Sequence, residues 1–269
     1  MSDPESSEFA LLAPGQGGSV PARLPGIDER LAPPETRLEY LGGTELFAAP
    51  AKAPHATQHF DLTYVLGAHV SREYRGAVDL LTRTGEVSDF APDASVFPIG
   101  ADETTGDRKL EELAFEIADE QAVSVPTQKA RELVARGVRR VFLILVKQHR
   151  MLEWSRETDA WSPLHDSSMI DDRCFARPLP VSAVLDGAAA DDAVAGALLD
   201  RKVPALERAL DERAARAKAE AVLDALDARG LVVTAEQRDR IFGCADIERL
   251  RRWSRLAVAV SDAEALFDE

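Results

Sequence analysis

Six consecutive apolar residues, Val141-Phe142-Leu143-Ile144-Leu145-Val146, constrain this chain more than any other segment. A strand with one wet face alternates apolar and polar side chains, so an unbroken run requires cover on both faces. The segments before it supply candidates for that cover. Pro126 suits a first helical turn, with Ser124 or Thr127 as candidate caps, and Gly137 suits the position just past the helix end. Ala130, Leu133 and Val134 would form the apolar stripe of this helix. Upstream, Leu113-Ala114-Phe115-Glu116-Ile117 has the length and composition of another strand. Strand, helix and buried strand in succession place the chain in the α/β class.

The remaining elements fit around this unit. Leu38 to Phe47 reads as a hairpin turning at Gly42-Gly43 and ended by Pro50 and Pro54. A helix is expected from about Ala56 to Ser71, and short strands at Ala77–Leu81 and Ala94–Phe97. A second hairpin is expected at Leu152–Trp161, with its turn at Glu157-Thr158-Asp159. From Asp191 to Arg229 the chain reads as long helices interrupted near Pro204 and ended by Gly230. Thr234 with Gln237, and Ser261 with Glu264, have capping-box spacing. Asp246 can cap a helix with Ile247, Leu250, Trp253, Ser254 and Ala257 on one face. The expected division is a disordered leader over 1–34, a catalytic-type domain over 35–187 and a helical extension over 188–269.

Composition removes several classes of function. A chain of 269 residues, 45% hydrophobic and 29% charged, can bury one substantial core and carry an appendage. No stretch approaches 18 consecutive apolar residues, and the start Met1-Ser2-Asp3-Pro4-Glu5 lacks the basic and apolar parts of a signal peptide. A cytoplasmic protein without membrane contact is expected. Cys174 and Cys244 stand far apart, outside any CxxC pattern, and read as ordinary thiols. A net charge of −15 opposes broad nucleic-acid affinity. Basic residues nevertheless cluster at Arg136/Arg139/Arg140, Lys147/His149/Arg150 and Arg249/Arg251/Arg252/Arg255, each read most simply as a solvated face.

The chemistry-bearing set is dispersed: Asp93 at the mouth of a strand, Glu116 within a strand, and Lys129 in the following helix. Alternation puts Leu113, Phe115 and Ile117 on one face and Ala114, Glu116 and Ala118 on the other, so small neighbours leave room around the carboxylate. Two carboxylates offer hard oxygen ligands to Mg²⁺, and a lysine can stabilise a water-derived nucleophile or charge building on phosphate. His55 and His59 have a zinc-ligand spacing but no third ligand in view, and read as polar residues at a helix start. Asp171-Asp172 and Asp191-Asp192 read as loop and helix-start charges.

Taken together, these segments resemble the Uma-type restriction endonuclease family, a branch of the PD-(D/E)XK nuclease-like superfamily, from about Arg37 to Gly187. The resemblance rests on Glu39, Gly43, Pro50/Pro54 and His55; on Pro92-Asp93 before Ala94-Ser95-Val96-Phe97; and on Glu116, Lys129, Gly137-Val138 and the run from Val141. The chain departs from the family pattern at Asp119, Val125 and Leu133. The resemblance implies a restriction-endonuclease-like mixed sheet flanked by helices, with an α-helical C-terminal region. It further implies that Asp93, Glu116 and the carbonyl of Ile117 bind Mg²⁺, or Mn²⁺ in its place. Lys129 would act on the attacking water, with Glu39 as an auxiliary acid. The implied activity is metal-dependent cleavage of DNA. The alternative is a catalytically weakened relative acting as a protein-interaction module through its helical tail. A homo-oligomer formed through the C-terminal helices is a further expectation.

Overall fold

The computed structural model describes residues 9–11, 37–48, 52–119 and 123–268. Along the chain run β1 (Phe9–Leu11), β2 (Arg37–Leu41), β3 (Thr44–Ala48), α1 (Ala53–His69), β4 (Tyr74–Val78), β5 (Thr82–Gly85), β6 (Ser88–Phe90), β7 (Ala94–Pro98) and β8 (Leu113–Ala118). Then follow α2 (Ser124–Arg136), β9 (Arg140–Leu145), β10 (Arg150–Ser155), β11 (Ala160–Pro163), β12 (Met169–Ile170), β13 (Leu179–Pro180), α3 (Val181–Leu185) and α4 (Gly187–Asp200). The last helices are α5 (Pro204–Ala228), α6 (Ala235–Phe242) and α7 (Ile247–Leu256). The chain divides into two compact units, Met1–Arg201 and Lys202–Glu269.

The first unit is mixed α/β. Its six-stranded sheet has the order β11-β10-β9-β8-β7-β4, with β8 and β9 parallel and the other neighbours antiparallel. Leu113, Phe115 and Ile117 enter one core with Leu62, Val65 and Leu66 of α1 and with Phe142 and Ile144. Ala114 enters a second core with Val141, Phe90, Ala130 and Leu133. Helices therefore cover both faces of β8 and β9, which is why Val141 to Leu145 of β9 are all apolar. Gly137 ends α2 at φ 120°, where a Cβ would be strained and would lie 3.2 Å from Leu110 Cδ2. A second sheet, β1-β3-β2-β6-β5, contains the first hairpin and pairs Tyr40 with Asp89.

Several expectations shift. Pro54 sits in the first turn of α1, so the proline expected to follow the hairpin opens the helix. The strand expected at Ala77–Leu81 lies at Tyr74–Val78, and Asp79 at φ 49° leaves the extended conformation. Neither Ser124 nor Thr127 caps α2: its N-cap residue is Val123, with no side-chain hydrogen bond. Of the expected leader, Phe9–Leu11 pairs with β3 and the rest lies outside the described residues. The change in composition near Gly187 does not coincide with a break in packing. Ala190, Val194 and Ala197 of α4 join the core that contains α1.

An arginine cluster flanks the start of β8 and β9. Arg139 donates to both oxygens of Asp172 at 2.8 and 2.6 Å and to Glu112 at 3.2 and 3.0 Å. Arg140 grips Glu153 at 2.6 and 2.9 Å and reaches Asp172 at 3.1 Å, while Arg173 donates to Glu112 at 2.7 Å. Burial would raise the Asp172 pKa, but these donors hold it well below the usual carboxylate range. Cys174 sits beside them, its thiol pushed up by burial and by Asp172.

In the second unit, α5 supplies Ala215, Ala219, Val222, Leu223 and Leu226 to a core completed by Ile241, Leu250, Trp253 and Ala257. Residues on the apolar face of α7 are thus covered within the unit. Thr234 and Gln237 form the expected capping box, and Asp246 accepts from the Glu248 and Arg249 amides. Ser261 does not cap: its hydroxyl bonds Asp262, which accepts the Ala265 amide ahead of a short 3-10 turn at Glu264–Leu266.

Candidate functional site

Glu39, Asp93, Glu116 and Lys129 come from β2, the entry to β7, β8 and α2, and the structure brings them together. Lys129 is the connecting residue. Its stem lies within the layer between α2 and the sheet, and only 2% of the side chain is exposed. Its ammonium lies 3.1 Å from Glu39 Oε2, 3.5 Å from Glu116 Oε2 and 3.4 Å from the Ala91 carbonyl oxygen, and 5.2 Å from the Phe90 ring centre. Glu39, fully buried, also accepts the Ala91 amide through Oε1 at 3.1 Å. That bond ties the second sheet to the segment just before Asp93.

Asp93 is held from three directions. The Ile117 amide donates to Oδ2 at 2.5 Å, and His55 Nε2 lies 3.3 Å from Oδ1. His59 Nε2 donates to the Asp93 carbonyl oxygen at 2.6 Å. The spacing of four that suggested a zinc pair instead lets one face of α1 hold both the backbone and the side chain of Asp93. Sequence reasoning missed this role, although that spacing at a helix start was its signal. For Ile117, the observed engagement with Asp93 is through its amide.

The titration of these groups follows from their surroundings. Burial raises the Glu116 pKa to about 8; Lys129 opposes the rise, while Asp93 and Glu39 add to it. Glu116 is therefore mostly protonated at neutral pH. Burial also disfavours the Asp93 carboxylate, but His55, Lys129 and the Ile117 amide outweigh it and lower its pKa. For Lys129, burial would favour the neutral amine, yet Glu116, Glu39 and Asp93 raise its pKa overall. The lysine stays charged and serves three carboxylates.

Glu116 Oε1 is buried and, among the described residues, has no hydrogen-bond partner. An orphaned carboxylate oxygen beside Asp93 fits a hard divalent cation, which would replace the Glu116 proton as the compensating charge. Among the described residues there is no cage of three or more His, Cys, Asp or Glu ligands. A divalent cation held by two carboxylates would complete its shell with water. Of the three departures from the family pattern, Val125 and Leu133 pack in the core above α2. Asp119, just after β8, is buried with Oδ1 lacking a partner.

Residues 24–171 match a family model described as putative restriction endonuclease. A crystal structure of a putative nuclease belonging to DUF820 from Anabaena variabilis ATCC 29413 is similar at 19% identity, with a TM-score of 0.44. The match covers 59% of this chain and 96% of that one. No curated protein matches. Among the described residues, no helix is long and apolar enough to cross a membrane.

Proposed function

This chain belongs to the Uma-type putative restriction endonuclease family, and on that premise we propose that it hydrolyses phosphodiester bonds in DNA with the help of a divalent cation. The observation that carries the proposal is the buried Lys129 ammonium at 3.1 and 3.5 Å from two carboxylates, beside a third whose position is fixed by a backbone amide. One lysine among three acids is a poor structural device, because each buried carboxylate that lacks a counter-charge costs stability. It is a good device for receiving a cation and a phosphate in turn.

Asp93 and Glu116 would hold the ion, Mg²⁺ or Mn²⁺, with the Ile117 carbonyl as a further oxygen donor. When bound, such an ion polarises the phosphate and lowers the pKa of water. The protein's own groups do the rest. His55, Lys129 and the Ile117 amide keep Asp93 ionised, and His59 holds its backbone. Glu116 would hold the ion as the carboxylate, its proton passing to water. Lys129 then places a fixed positive charge where negative charge grows on the attacking oxygen or the phosphate, without reorganisation during the reaction. Glu39 keeps the ammonium in place and charged.

Supercoiled plasmid incubated with Mg²⁺ or Mn²⁺ tests the proposal, with Asp93→Ala as the control for contaminating nucleases. Cleavage by the wild type that Asp93→Ala abolishes supports it; equal cleavage by both proteins refutes it. The deep burial of Glu116 and Lys129 favours one other assignment, a site that stabilises the fold of a protein-interaction module. Under that assignment a divalent cation leaves the melting temperature unchanged.

A further inference from the structure

The helical unit contains a feature that the cleavage chemistry does not use. α6 ends at Phe242 and α7 begins at Ile247, so a four-residue turn, Gly243 to Asp246, joins two short helices. Both pack on α5 through Ile241, Leu250 and Trp253. Gly243 suits the tight corner, since a Cβ there would lie 3.1 Å from the Asp239 carbonyl oxygen. Two helices joined by a turn of this length are the arrangement by which many proteins present a helix to the DNA major groove.

Charge follows the same geometry. Residues 238–255 hold six arginines against three acids in a chain whose net charge is −15. On α7, Leu250 and Trp253 face the core, while Arg249, Arg251, Arg252 and Arg255 are exposed. A pocket of about 430 Å³ opens beside the turn, lined by Arg240, Cys244, Asp246, Arg249 and Trp253 among others. Trp253 is 3% exposed and, among the described residues, its Nε1–H, a donor only, has no acceptor. Arg240 and Arg249, lining this pocket, suit an anion with several acceptor oxygens, such as a backbone phosphate. The α7 amides are not available for this, because Asp246 already caps them.

We propose that α6, the Gly243–Asp246 turn and the exposed arginine face of α7 form a DNA-docking surface, which supplies duplex affinity separately from the cleavage site. The choice of DNA rests on the nuclease function proposed above. Charge complementarity favours a polyphosphate over an acidic protein, because α7 presents four exposed arginines, and Phe242, 40% exposed at the end of α6, has the Arg216 guanidinium over its ring.

The test measures duplex binding by the full chain in EDTA, where no cleavage occurs, as a function of salt. The wild type is expected to bind, and the triple variant Arg249→Gln, Arg251→Gln, Arg255→Gln to bind at least about tenfold more weakly at 0.1 M salt, with a salt dependence shallower by roughly two to three phosphate contacts. Lysine at the same three positions should retain most of that slope, which separates lost charge from lost folding. An unchanged affinity in the glutamine variant overturns the proposal. So does a wild type that ignores duplex DNA but binds a polyglutamate peptide through the same arginines. Arginine-dependent binding without cleavage under any metal leaves the docking surface standing and removes the nuclease assignment. Cleavage that persists while binding ignores the arginines does the reverse.

Discussion

Two ionic clusters flank the same strand, β8, and differ in how completely they satisfy themselves. Before the strand, three arginines meet Glu112, Glu153 and Asp172, Arg139 gripping both oxygens of Asp172 and Arg140 both of Glu153, and Glu112 and Asp172 are shifted downward. Near its end, one lysine faces Glu39, Asp93 and Glu116, and Glu116 is shifted upward to about 8. The first cluster is a closed network that clamps strand entries to the 171–174 segment. The second is short of positive charge in a buried place, as the proposed uptake of a further cation requires.

Perturbing each cluster should have opposite consequences. Lys129→Gln should lower DNA cleavage by about 10² to 10³, as loss of one preorganised charge does, while the ion still binds. Steady-state rates together with a metal titration check this, and a rate within about twofold of wild type would make Lys129 an ordinary packed lysine. Asp172→Ala should cost about 2 to 3 kcal/mol in urea unfolding, less than for a fully buried pair because Arg139 is partly exposed. The folded fraction should cleave normally. Lost activity without lost stability there would erase the distinction between the clusters.

Divalent cation should stabilise only through the second cluster. At ten times its Kd the expected gain is about 1.4 kcal/mol, read as a rise in melting temperature that Glu116→Gln removes. The last effect concerns pH in the metal-free protein. Because the Glu116 pKa is raised from 4.5 to about 8, the folded state holds a proton that the unfolded state releases between those values. Its stabilising effect is complete below the lower value and falls as pH rises to the upper one. Wild type should therefore lose stability relative to Glu116→Gln across that window and run parallel above it. A difference that stays flat from pH 5 to 8 would mean that Glu116 is already ionised.

Much of this arrangement was legible before any coordinates. The unbroken run at Val141–Val146 demanded two covering layers, and strict alternation put Glu116 on the face of Ala114. Those signals survive because burial acts on every residue of a strand. The caps of α2 were not legible: Ser124 and Thr127 have the right chemistry, yet the chain enters the helix at Val123, where no side chain completes the bond. The roles of His55 and His59 were hidden for another reason. Their partner belongs to a segment 34 residues or more away, and no local pattern records which carbonyl or carboxylate a helix face will meet. The partner expected for the apolar face of α7 proved to be α5, because hydrophobic periodicity states that a face must be covered without stating by what.

The bond from the Ile117 amide to Asp93 carries a consequence for how this site can vary over generations. The group that fixes the carboxylate is main chain, and every amino acid but one supplies it. Substitution at 117 is thus filtered by the core, where the side chain lies 2% exposed, and scarcely by the chemistry next door. Proline is the exception, since it alone would erase the donor. Position 117 can drift among apolar residues while Asp93 remains tethered, so a survey of side-chain identities would overlook one of the contacts on which the site depends.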